Sequence, residues 1–252
     1  MSFKVNKSFF AFVLLFILFL PVFVNAEERE VVSQDIKYYK TLTYNNLFTT
    51  YGTEQESESV TYEITKEEYD SFNPATSNNS RATNAVETTY KYMLTTLYKE
   101  GDNFFVENYL SWKNFPATRS YDIIAIGFPG NTRPVTQLQF TQHYCTASGS
   151  CVNQTNGNPF IFNYGAASMF ALPTVDLSRL NQTFSFYLGK VNSGTLNYLE
   201  VFGDYAHAQR SVTFSEACRF EMLYDGLYFT DSTVEDKYDE ISSTYLTWSG
   251  SW

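Results

Sequence analysis

Apolar and polar residues alternate in short runs along most of this chain. The clearest pair is "VETTYKYMLTTLYK" (86–99) and "FFVENYLSWKNF" (104–115), set on either side of "EGDN". In the first run Val86, Thr88, Tyr90, Tyr92 and Leu94 share one face of a strand. In the second, Phe104, Val106, Asn108, Leu110 and Trp112 do. Two alternating runs around a four-residue, glycine-bearing turn predict a β-hairpin. The run "SYDIIAIGF" (120–128) is apolar nearly throughout, which predicts a strand buried on both faces, closed by Pro129-Gly130.

Other strands follow the same logic. "DIKYYKTLTYNNLF" (35–48) predicts a first strand with a turn at Asn45-Asn46, and "VTYEIT" (60–65) a second. "VTQLQFTQHY" (135–144), "PFIFNY" (159–164) and "SMFAL" (168–172) continue the series. "TFSFYLGKV" (183–191) and "TLNYLEVFGDYAHA" (195–208) are joined by the turn signal Asn192-Ser193-Gly194. One helix start stands out in "TKEEYDSF" (65–72). Thr65 fits an N-cap, and Glu67 and Glu68 put negative charge in the first turn. "TEQESES" (53–59) reads as a solvated loop and 73–85 as a flexible one. At 231–248 period and propensity disagree. Val234, Tyr238, Ile241, Tyr245 and Trp248 form a helical stripe, but "STYLTW" is built of strand formers, so either element fits.

Many short strands separated by turn signals predict a mainly β chain, an antiparallel, jelly-roll-like β-sandwich with one or two short helices. No repeat or heptad pattern interrupts it. The first 26 residues differ. Lys4 and Lys7 precede the apolar run Phe9–Val24, and Val24-Asn25-Ala26 resembles a cleavage site, the layout of a secretory signal peptide. The run falls short of the roughly 20 residues of a spanning helix. The expectation is a signal peptide over 1–26 and a single secreted, extracellular domain over 27–252, with no stable membrane insertion after cleavage.

Charge narrows the partners. Without Lys4 and Lys7, 15 basic residues face 27 acidic ones, a net charge of −12. Such a surface repels phosphate backbones, which argues against nucleic acid. Aromatics are abundant: beyond the signal segment remain 16 Phe, 20 Tyr and 3 Trp.

Candidate chemistry is sparse. Cys145 and Cys151 bracket "TASGS", turn chemistry between two strands, and in a secreted chain their pairing as a disulfide is expected. His143 shares a strand face with Cys145, so His143, Cys145 and Cys151 resemble three zinc ligands. Spacing and oxidation argue against it, and no metal or other cofactor is expected. Cys218 is left over as a buried small residue. Asp204 and His207 fall on opposite faces of a strand, and no motif of nucleophilic or phosphate chemistry occurs. Glu107, Asp122, Glu200, Asp204 and Glu221 lie on strands, and any two are a conceivable carboxylate pair for a hydrolase.

The aromatics support a different reading. Tyrosine and tryptophan rings stack on the apolar faces of sugars, and Trp112, Tyr109 and Trp248 are the candidates for ligand binding. The reading preferred from sequence is a non-catalytic extracellular or cell-surface binding module for carbohydrate, with a glycosidase-like hydrolase as the alternative.

Overall fold

A computed structural model describes residues 29–45, 57–72, 85–239 and 241–252. The expected signal peptide and the polar stretch 73–84 lie outside the described residues.

Two antiparallel sheets face each other. The larger comprises β1 (Glu30–Asn45), β2 (Ser57–Ile64), β3 (Ala85–Glu100), β4 (Asn103–Asn114), β6 (Thr132–Pro134), β7 (Gln139–Thr146), β8 (Cys151–Gln154) and β11 (Leu177–Lys190), in the order β2-β1-β3-β4-β11-β7-β8, with β6 also paired to β11. The smaller comprises β5 (Tyr121–Gly127), β9 (Asn158–Phe162), β10 (Gly165–Ala171), β12 (Tyr198–Ala206) and β15 (Thr244–Ser249), in the order β15-β12-β5-β10-β9. A hairpin of β13 (Phe220–Leu223) and β14 (Gly226–Phe229) stands apart. Among the described residues there are also three short helices: α1 (Lys66–Ser71), α2 (Phe214–Ala217) and α3 (Ser232–Glu235). The predicted β-sandwich with few short helices is what the chain forms.

The hairpin 86–115 is present, with a tighter turn than predicted. Glu100 and Asn103 pair, leaving Gly101 and Asp102 as the loop, and Gly101 takes the positive φ of 55° that glycine tolerates. The predicted faces hold for β4: Phe104, Val106, Leu110 and Trp112 point into the sandwich. In β3 the inward set is Lys91, Met93, Thr95 and Leu97, so Tyr92 and Leu94 look outward. The helix at Thr65 forms as expected, its hydroxyl accepting from Glu68 N at 3.2 Å.

One expectation is corrected, and two further segments are placed. Residues 57–59 belong to β2 rather than to a loop. The segments around Asn192-Ser193-Gly194 do not pair with each other. β11 lies in the larger sheet and β12 in the smaller, so the turn carries the chain across the sandwich. At 231–248 both elements exist in sequence, α3 first and β15 after it.

Between the sheets, Phe104, Phe184 and Phe186 of the larger meet Ile124, Ile126, Val201 and Leu246 of the smaller. A polar node sits inside this core. Asn108 Nδ2 donates to Ala125 O at 3.0 Å and Asp204 O at 3.1 Å, and Thr95 Oγ1 donates to Asn108 Oδ1 at 3.2 Å. Every partner is buried, so the node fixes how the sheets register, because a lost bond there leaves a polar group stranded. Gly203 makes room for it: a Cβ there would stand 2.0 Å from Thr95 Oγ1.

The smaller sheet is covered on its far side too. Ile123, Ala125, Ala167, Met169 and Phe202 form a second core with Phe220 and Met222 of the β13–β14 hairpin and with Val234 of α3. β5 therefore sits between two apolar layers, which is why its sequence carries no polar alternation.

Candidate functional site

The far side of the larger sheet carries polar side chains and tyrosines, and strand register orders them in rows. Tyr92 pairs with Ser111, Ser111 with Asn181, and Asn181 with His143. The next row runs Leu94, Tyr109, Thr183, Thr141, and the one after it Thr96, Glu107, Ser185, Gln139. A last row holds Tyr98, Phe105 and Tyr187. Because strand side chains alternate with period two, these residues share one face.

Two walls bound this face. At one end α1 stands over the sheet. Its Tyr69 ring centroid lies 5.0 Å from that of Tyr38 and 5.8 Å from that of Tyr92, and Tyr92 in turn lies 5.9 Å from Tyr109. Lys113 Nζ holds the helix by donating to Tyr69 O and sits 4.6 Å over the Tyr69 ring. At the other end Arg29 packs 4.0 Å over the Phe105 ring and donates to Glu100 Oε2 at 3.0 Å and Tyr187 Oη at 2.8 Å. Tyr187 Oη donates to the same carboxylate. Hydrogen bonding from Tyr187, with Arg29 beside it, lowers the Glu100 pKa.

Between the walls lies a groove of about 410 Å³. Its floor is Glu107, Gln139, Thr141, Thr183 and Ser185, with Phe105, Tyr187 and Arg29 at the rim. Tyr109 adjoins it, directly opposite Thr183. Partial burial raises the Glu107 pKa, opposed by Arg29. Burial also pushes Tyr109 up to about 12, assisted by Tyr92. Tyr109 thus stays a protonated donor at any physiological pH. The floor combines hydroxyls and an amide, which both donate and accept, with one carboxylate that accepts strongly.

The sequence candidates separate. Tyr109 stands on the open face. Trp112 does not: it is 4% exposed, on the inward side of β4, its ring 6.2 Å from Tyr205 and 5.1 Å from His207. A ring enclosed like this offers no stacking face, which corrects its reading as a ligand-binding residue. Trp248 is half-buried at the end of the inter-sheet core. It meets Phe104 edge-on at 4.8 Å, with Lys99 Nζ 5.4 Å from its ring, so both the ring and its position serve packing, away from the groove.

The carboxylates also separate. Among the described residues Glu107 is the one acid on the groove floor. Asp122 is fully buried, accepting from Tyr205 Oη and Ala208 N and lying 3.0 Å from His207 Nδ1. His207 thus finds an acid partner in Asp122, 85 residues away, and not in its neighbour Asp204. Asp204 is buried under the β13–β14 hairpin, where it accepts from Leu227 N at 3.0 Å and from Ser243, and burial raises its pKa to about 6. Glu200 is half-buried, held by three tyrosine hydroxyls, and Glu221 is exposed on β13.

Cys145 and Cys151 stand opposite each other in β7 and β8 with their sulfurs at bonding distance, 2.09 Å. His143 does share their face, its Nε2 3.7 Å from Cys145 Sγ, while its Nδ1 lies 2.6 Å from Asn153 Oδ1. With both sulfurs in a disulfide, these three residues keep a single nitrogen donor for a metal. Cys218 ends α2 and packs against the second core as a free thiol.

No protein-family model matches this chain, and no curated protein does. Solved structures that overlap with it weakly include the following two. One is AvmM, described as catalysing macrocyclisation in alchivemycin A biosynthesis, at 9% identity and a TM-score of 0.26, covering 60% of this chain and 82% of that one. The other is the N-terminal domain of PorA, at 13% identity and a TM-score of 0.17, covering 43% and 66%. Overlaps this low carry no argument about fold or activity.

Proposed function

We propose that this protein is a secreted, non-catalytic binding module that holds carbohydrate on the outer face of its larger sheet. The observation that carries the reading is the floor of the groove. Thr141, Thr183, Ser185, Gln139 and Glu107 lie in register beside Tyr109 and Phe105. A sugar presents adjacent hydroxyls that both donate and accept, and an apolar ring face. Short hydroxyl and amide side chains with one carboxylate match the former, and aromatic rings match the latter. A strand floor fixes these groups without the ordering cost of loops.

The signal-like N-terminus and the cysteine pair support an extracellular setting. Among the described residues no helix is long and apolar enough to cross a membrane. A two-carboxylate hydrolase finds less support, because among the described residues Glu107 has no second acid on the groove floor.

The test is retention on a panel of soluble and insoluble polysaccharides and purified cell walls, for the native protein and Tyr109→Ala. Retention of the native protein that falls about tenfold or more in the variant is expected, as for a central aromatic contact worth upward of about 1.4 kcal/mol. No retention across the panel, or retention indifferent to Tyr109, refutes the reading.

A further inference from the structure

Lys91 points into the sandwich from β3, and its Nζ meets Asp239 Oδ2 with both side chains 1% exposed. The setting is apolar and enclosed. The Trp112 ring stands 4.9 Å from the ammonium and the Tyr205 ring 5.3 Å. The other oxygen of the carboxylate is bound as well: His207 N donates to Asp239 Oδ1 at 2.7 Å. Behind His207 lies its hydrogen-bonded partner Asp122, itself fixed by Tyr205 Oη and Ala208 N.

A buried ion pair is an expensive way to join two sheets, since desolvation cancels much of its attraction. A neutral pair costs less in such surroundings. This arrangement places an amine against a carboxyl whose remaining oxygen already receives a backbone N–H. That is the layout for acyl transfer: a nucleophile held at contact, and a donor aimed at the oxygen on which negative charge develops.

We infer that Lys91 and Asp239 join in an intramolecular isopeptide bond. Nζ passes one proton to Oδ2 along their shared hydrogen bond, giving an amine and a carboxylic acid. The amine lone pair attacks Asp239 Cγ, and the charge gathers on Oδ1, where His207 N–H stabilises it. Nζ then gives up a second proton to Oδ2. The Cγ–Oδ2 bond breaks and water leaves. An ammonium and a carboxylate become an amide and one water, with no oxidant, reductant or co-substrate. The water has an exit, because Asp239 also lines a pocket of about 230 Å³ that runs beneath the β13–β14 hairpin.

The bond links positions 148 residues apart. It ties β3 of the larger sheet to the segment that leads into β15 of the smaller one. A secreted protein exposed to proteases and pulling forces gains from such a closure, which persists when the fold opens.

The inference stands apart from the carbohydrate reading, since neither residue touches the groove. Intact mass of the full purified chain, after reduction and denaturation, tests it directly. The expected mass is that of the sequence, less any removed signal segment and less one water. Tryptic digestion should yield one branched peptide joining the segments around Lys91 and Asp239. Asp239→Asn should form the same amide by releasing ammonia, and so reach the native mass. Asp239→Ala and Lys91→Arg should show no loss. A native chain of full calculated mass, with Lys91 and Asp239 recovered in separate linear peptides, would mean an ion pair only and would overturn the inference. The mass of the native chain needs no variant to fold.

Discussion

The two sheets have opposite fates on their far sides. The smaller one carries Ile123, Ala125, Ala167, Met169 and Phe202 there, and the chain spends residues 214–238 covering them. The larger one carries Tyr92, Tyr109, Glu107, Thr141, Thr183 and Ser185, and its groove is left open between α1 and Arg29. The local strand chemistry is similar on both, since alternation and β-branched or aromatic residues build either sheet. What differs is what faces outward. An apolar far face has to be buried by more chain, whereas a face of hydroxyls, amides and phenols is stable in water and free to take a ligand. The uncovered face is therefore where function is expected.

The largest break in this comparison is on the covered side. Phe202 is 6% exposed and lies over Gly127, where a Cβ would meet its ring at 1.7 Å. Phe202→Ala empties that site and should cost about 3–5 kcal/mol in denaturant unfolding, through lost burial and the cavity left behind.

The next is pH. Burial raises the pKa of Asp204 to about 6, above its ordinary value of 3.8. The folded state thus binds the proton more tightly than the unfolded chain. The stability this group contributes is fully present below 3.8 and is lost as pH rises through 6. Its removal by Asp204→Asn should flatten the stability profile between those values, an effect on the order of 2–3 kcal/mol. Unfolding midpoints measured from pH 4 to 7 check this. A native profile unchanged by the substitution would locate the pH dependence elsewhere.

Much of this division was readable from the sequence, for physical reasons. β5 announced itself because a strand buried on both faces has no polar alternation. The hairpin 86–115, the Thr65 cap and the Cys145–Cys151 pair rest on contacts a few residues apart, which local chemistry determines. The failures are non-local. Trp112 and Tyr109 are three residues apart on one strand, so they take opposite faces, and the aromatic character of both hides which one is core. Nothing local marks Lys91 as buried, because its partner lies 148 residues on. Likewise His207 pairs with Asp122 across two strands of the smaller sheet.

A smaller effect is expected at the β7–β8 tip. Closing a short loop, with a separation of 6 residues, stabilises by roughly 2 kcal/mol. Cys151→Ser should lower unfolding stability by about that amount and leave polysaccharide retention intact. A loss of retention would extend the binding face as far as His143 and the disulfide.

The smallest effect on stability, and the most telling on function, belongs to the open face. Tyr109 is half-buried on an uncovered sheet, so Tyr109→Ala should destabilise by about 1–2 kcal/mol, well short of Phe202→Ala. Whether this face binds carbohydrate is decided by titrating the native protein and folded Tyr109→Ala with a retained polysaccharide. Saturable binding by the native chain is expected, with an affinity lower by about tenfold or more in the variant. Equal affinity in the two proteins would contradict it.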